Sequence, residues 1–226
     1  MSEIARNLAI VREHIARAAT RSGRDPAGIT LVAVSKFHPP EAVREAHAAG
    51  QLEFGENYAQ DLRDKAQALA DLPDLHWHFI GHLQRNKARL VVPHATLVET
   101  VDSTRLAAEL DRQAGRTGQR LPCLVQVNVG GEEQKSGCAA GEAGEVLTAV
   151  ESAAHLELAG LMTIPPFDLE ADRTRIYFRE LARLRDAHGG AARLPHLSMG
   201  MSHDFEAAIE EGATIVRVGT AIFGER

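Results

Sequence analysis

Apolar residues recur at helical spacing over residues 2 to 21, where Ile4, Leu8, Val11, Ile15 and Ala18 share one face and Arg6, Arg12, Glu13 and Arg17 occupy the others. Gly23 and Asp25-Pro26 end this amphipathic helix. The period then changes. Thr30-Leu-Val-Ala-Val-Ser is short, apolar and β-branched, stops at Lys36, and predicts a buried strand over residues 29 to 35. Pro39 and Pro40 suit the first turn of a helix that runs to Gly50. Strand-like runs return at residues 52 to 55, 76 to 80, 96 to 100, 123 to 129, 156 to 163, 196 to 199 and 214 to 218. Helical patterns separate them, including residues 83 to 92, 170 to 188 and 204 to 211.

Eight short strands alternating with helices predict a parallel sheet, and eight such units close a (β/α)8 TIM barrel. The expectation is one α/β domain over residues 1–226 with an extra N-terminal helix. An open doubly wound sheet would carry its ligand signal in a Gly-rich loop after the first strand, where this chain has Phe37-His-Pro-Pro40. Eight residues follow the last strand, too few for a full eighth helix, so the N-terminal helix is expected to cover that gap.

The net charge of −6 and the absence of a basic stripe with interleaved aromatics argue against nucleic-acid binding. Arg85, Lys87 and Arg89 read as a solvated helix face. No apolar run approaches the ~20 residues of a membrane span, and the N-terminus has no signal-peptide core, which predicts a cytoplasmic protein. Two cysteines, Cys123 before a strand and Cys138 in a polar loop, form neither a disulfide framework nor a zinc pattern.

In a TIM barrel the functional groups collect at the C-terminal ends of the strands. Those ends carry Lys36, Asn57, His82, Asn128, Thr163, Ser198-Met-Gly-Met-Ser202 and Arg217-Val-Gly-Thr220. The loops after the seventh and eighth strands are the usual phosphate site of the fold, and here they are built of Gly, Ser and Thr, residues that offer close backbone approach and hydroxyls. Strand alternation sends Lys36 inward with Val34 and Val32, and Arg217 inward with Ile215 and Gly219. Closure then sets two cations at one mouth, an arrangement that favours a neutral, Schiff-base-forming amine. His76 and His78 share a strand face without Asp, Glu or Cys at ligand spacing, and read as hydrogen-bonded core residues rather than a metal pair. His82 is a candidate for ligand contact or helix capping, and Lys135 for a lid or a partner contact.

Val34-Ser-Lys36, Phe54-Gly-Glu-Asn57, Trp77-His-Phe-Ile-Gly81 with Leu83-Gln84 and Asn86-Lys87, Lys135-Ser-Gly137, Gly160-Leu-Met162, Leu197-Ser-Met-Gly-Met-Ser202 and Val216-Arg-Val-Gly-Thr-Ala-Ile-Phe-Gly224 together resemble the pyridoxal-phosphate homeostasis protein family. Gly81-His-Leu83 stands where the family has Gly-Pro-Leu. The resemblance implies a barrel like the N-terminal domain of alanine racemase, with pyridoxal 5′-phosphate (PLP) held as a Schiff base by Lys36. It implies Arg217 facing the pyridine nitrogen, Ser198, Gly219 and Thr220 at the phosphate, Gly200 and Met201 as backbone contributors, and Asn57 near the ring.

The implied function is PLP homeostasis: a non-catalytic carrier, expected to be monomeric, that buffers the cofactor and supplies PLP-dependent apoenzymes. A guanidinium cannot take the proton of the pyridine nitrogen, so a carbanion would be poorly stabilised, which fits either weak racemase-like chemistry or simple storage and transfer of the cofactor. The alternative is a PLP-dependent amino-acid racemase, which needs acid–base groups on both faces of its substrate; the two tyrosines, Tyr58 and Tyr177, lie on helices. A Schiff-base aldolase barrel is a third reading.

Overall fold

The computed structural model describes residues 2–132, 136–166 and 171–225. Ser2 caps the first helix, α1 (Glu3–Arg21), its side chain accepting from the Ala5 N–H, and α1 buries Leu8, Val11, Ile15, Ala18 and Ala19. Eight strands follow: β1 (Thr30–Val34), β2 (Glu53–Glu56), β3 (His76–Phe79), β4 (Leu97–Val101), β5 (Leu121–Asn128), β6 (Leu156–Met162), β7 (His196–Ser198) and β8 (Ile215–Val218). Each pairs in parallel with the next, and β8 pairs with β1, closing a (β/α)8 TIM barrel.

Outside the barrel lie α2 (Pro40–Ala48), α3 (Ala59–Ala68), α4 (Ala88–Val91), α5 (Thr104–Thr117), α6 (Ala143–Glu151), α7 (Ala171–Ala187), α8 (Gly190–Arg193), α9 (Phe205–Glu210) and α10 (Thr220–Phe223). The third helical segment is shorter than its pattern predicts. Leu83 is buried in the core, Gln84 is extended, and a 3-10 turn at Arg85–Lys87 precedes a single α-helical turn. Cys138, expected in a loop, is buried in a two-residue strand, Cys138–Ala139, beside β5.

Alternation along the strands separates two cores. The outward residues, among them Phe54, Trp77, Phe79, Val125 and Leu197, pack under the helices. Inside the barrel a smaller apolar cluster of Val32, Leu97, Leu124, Ala159, Met162 and Ile215 shares the space with polar side chains. Register sets those neighbours: Val32 lies opposite Arg217, His78 opposite Gly55 and Leu97, and Ser198 opposite Met162 and Ile215.

Helix α1 occupies the place of an eighth barrel helix. The Arg12 guanidinium donates to the carbonyls of Ala49 and Gly50 at the end of α2, Asn7 Nδ2 donates to the Ile222 carbonyl in α10, and Arg21 pairs with Glu206 and Glu210 on α9. The single turn of α10 leaves that wall open, and the N-terminus covers it.

Candidate cofactor site at the strand ends

The exit of β1 is held from outside the barrel. Ser35 donates its hydroxyl to Glu56 Oε1 at 2.7 Å, and its carbonyl accepts from Lys65 Nζ at 2.6 Å; Lys65 and Glu56 are themselves paired at 2.5 Å, both buried. Burial holds the Glu56 carboxyl above the usual carboxylate range, with Lys65 pulling against it. With Ser35 fixed outward, Lys36 turns inward. Phe37 then adopts φ +67, the one non-glycine residue with positive φ among the described residues, and the His38 N–H closes the turn on the Ser35 carbonyl at 3.0 Å. A left-handed aromatic residue is costly, and this one ends the strand directly after its lysine.

Lys36 opens into a cavity of about 490 Å3 at the C-terminal ends of the strands. Asn57, Met201, Arg217, Gly219 and Thr220 line it with Lys36, so tertiary structure brings these predicted residues together. Val34, Ile80, Ile164, Ser202 and His203 complete the lining. No carboxylate is among these described residues, so in a chain of net charge −6 the cavity gathers two cations. A second depression, about 520 Å3, lies on the outer wall between α1, α7 and α9, but its charges are paired with each other, Arg21 with Glu206 at 2.8 Å and Arg175 with Glu210 at 2.7 Å.

Close backbone approaches shape the rim. A Cβ on Gly81 would lie 2.0 Å from the Asn57 carbonyl oxygen, so only glycine lets the strand-3 loop pass beside Asn57. Gly200 has φ +94, and a Cβ there would meet Ala208 Cβ at 2.6 Å. Its carbonyl accepts from the Arg217 N–H at 3.0 Å, and Ser202 Oγ accepts from the Gly219 N–H at 3.2 Å, tying the loops after β7 and β8 together.

Arg217 is 4% exposed and held by the wall: Nη2 donates to the Thr163 carbonyl at 2.8 Å and Nη1 to the Ser198 hydroxyl. Ser198 donates in turn to Glu99 Oε2 at 2.5 Å; Glu99 Oε1 lies 2.6 Å from His78 Nδ1, His78 Nε2 3.0 Å from Glu53 Oε2, and Glu53 Oε1 2.7 Å from His76 Nδ1. Burial lowers the Arg217 guanidinium's pKa, with Glu99 and Asp204 opposing. Burial would also lower His78, but its hydrogen bonds to Glu53 and Glu99 outweigh this and raise it to about 9. Burial favours neutral Glu99, yet His78 foremost, with Arg217 and Ser198, holds its carboxyl below the usual range.

Several predicted residues lie elsewhere. Ser198, grouped with the phosphate contacts by sequence, is fully buried outside the cavity lining, its hydroxyl engaged by Glu99 and Arg217. Gly200 is likewise absent from the lining and braces Arg217 through its carbonyl. His82 stands exposed at 3.6 Å from Asp102, and Asn128 donates to the Glu132 carbonyl to hold its own loop. Lys135 lies outside the described residues. His78 is a hydrogen-bonded core residue as expected, although its carboxylate partners come from β2 and β4, invisible to local spacing. Sequence reasoning passed over Ile80 and Ile164; the signal was the same alternation, since they follow inward His78 and Met162 by two residues. His203 carried none.

Residues 2–226 match the family model described as alanine racemase, N-terminal domain. The chain is 48% identical to the pyridoxal phosphate homeostasis protein of Pseudomonas aeruginosa over 227 residues, covering 100% of this chain and 97% of that protein. This chain belongs to the pyridoxal phosphate homeostasis protein family. Its fold is close to that of PipY of Synechococcus elongatus, solved with PLP bound: TM-score 0.83, 39% identity, covering 98% of this chain and 100% of that one. Alanine racemase of Corynebacterium glutamicum shares the fold at TM-score 0.68 and 18% identity, with 99% of this chain matching 61% of that one.

Proposed function

We propose that this protein binds pyridoxal 5′-phosphate in the strand-end cavity, holds it as a reversible Schiff base on Lys36, and buffers and supplies it to PLP-dependent apoenzymes. The observation that carries the proposal is the cavity lining, which brings Lys36 and Arg217 together at the strand ends of an acidic chain. The residues fit the cofactor. Its volume of about 490 Å3 lies within the range of small-molecule sites, the two cations match an anionic aldehyde, and Asn57 brings a buried side-chain oxygen that lacks a hydrogen-bond partner. The bound cofactor supplies an aldehyde that condenses with amines.

Lys36 provides that amine. Arg217 would face the pyridine nitrogen, Asn57 would lie beside the ring, and Gly219 and Thr220, with the Met201 backbone, would receive the phosphate, while Gly200, outside the lining, serves by bracing Arg217. Ser198 serves the site from below by fixing Arg217. The carrier reading is favoured over racemisation because neither tyrosine lines the cavity: Tyr58 is 49% exposed against the Phe37 ring, and Tyr177 lies on α7. Among the described residues no helix is long and apolar enough to cross a membrane.

The test is borohydride reduction of the purified chain after incubation with PLP, followed by peptide mass spectrometry. A stable adduct on Lys36 that disappears in Lys36→Ala is expected. An adduct spread over surface lysines and unchanged in the variant would overturn the assignment.

A further inference from the structure

The hydrogen-bonded line below the cavity has a property that simple packing does not require. It runs from Arg217 through Ser198, Glu99, His78 and Glu53 to His76, contributed by β8, β7, β4, β3 and β2, and its last member is half-exposed at the opposite end of the barrel. Glu99 is its centre: fully buried, with one oxygen on His78 and the other on Ser198, and 3.7 Å from Arg217 Nη1. A carboxylate in that position offsets the cost of burying the guanidinium inside the barrel. The Ser198 hydroxyl joins the two, accepting from Arg217 on a lone pair and donating its proton to Glu99.

We propose that Glu99 is a positioning residue for the cofactor site, acting through Ser198 to hold the Arg217 guanidinium in place and aimed at the ligand. It is not among the described residues that line the cavity, and Arg217 is the lining residue it reaches. The inference rests on the PLP-binding reading above.

A double-mutant cycle on PLP affinity tests it, measured by absorbance titration, with thermal unfolding of the cofactor-free chains alongside. Glu99→Gln keeps the shape, removes the charge and turns one of the two acceptor oxygens into a donor. It is expected to raise the PLP Kd about tenfold, the scale of one charge-assisted hydrogen bond. In an Arg217→Gln background the same change should move Kd less than about twofold, because the group it positions is gone. Ser198→Ala, which cuts the bridge and leaves the carboxylate, should show the same loss and the same non-additivity, and carries the test if Glu99→Gln does not fold. Equal losses in both backgrounds, or an unchanged Kd in folded Glu99→Gln, would overturn the inference while leaving the binding reading intact. A wild-type chain that takes up no PLP overturns both.

Discussion

Glu53, His78, Glu99 and Arg217 sit inside the barrel, where burial ordinarily excludes charge, and each is matched by the next at hydrogen-bond range or close to it. His78 decides how this line responds to pH. Its folded-state pKa is raised from 6.5 to about 9, so its contribution is fully present below the unfolded value and is lost as pH rises through about 9. Converted at 1.36 kcal/mol per unit, the contribution is about 3 kcal/mol. Glu99 and Glu53 are shifted the other way, so their contribution is present above the ordinary carboxylate pKa and is lost as pH falls below it. Urea unfolding of the cofactor-free protein should therefore show stability falling between pH 7 and 9.5. In His78→Gln that alkaline fall should be flattened, with lower stability at pH 7. A variant that keeps the full fall would assign it to another group.

At the scale of elements, α1 is the piece whose role is least evident from its own sequence. An amphipathic helix needs a partner, but its pattern does not name one. Asn7, Arg12 and Arg21 identify the partners as α10, α2 and α9, the walls of the gap left by the one-turn α10. Leu8 is fully buried at that seam, and Leu8→Ala should cost about 2–5 kcal/mol. Ile10 on the same helix is 54% exposed, and Ile10→Ala should stay within about 0.5 kcal/mol. The comparison is read from urea midpoints at constant m-value. Equal effects at the two positions would mean that α1 does not cover the barrel as described.

At the scale of the molecule, the site is a property of closure. Strands β1 and β8 stand at opposite ends of the chain, and their pairing sets Arg217 beside Val32 and thereby beside the lysine that β1 presents. A ligand held by both should stabilise the whole barrel, not one loop. At a PLP concentration of 100 times Kd the linkage is about 2.7 kcal/mol, which for a chain of this size raises Tm by about 5–10 °C. Calorimetry should record that rise in one cooperative transition, and Lys36→Ala should reduce it. A ligand-dependent shift confined to part of the transition would instead point to local ordering.

The repeated change of period from 2 to 3.6, ending each time at a turn, was enough to specify eight strands, their order and the barrel. Inward alternation was enough to set Lys36 beside Val34 and Arg217 beside Ile215. Those features are local, encoded by residues two to four apart. The polar line through the barrel was not legible, because Glu53, His78, Glu99, Ser198 and Arg217 are far apart in sequence and meet only through strand register. For the same reason Ser198 reads along the chain as one more hydroxyl of a phosphate loop, whereas its neighbours make it the hinge between Glu99 and Arg217. Sequence determined which side chains face inward; tertiary structure decided which of them share a proton or a charge, because hydrogen bonding acts over about 3 Å in space and is indifferent to separation along the chain.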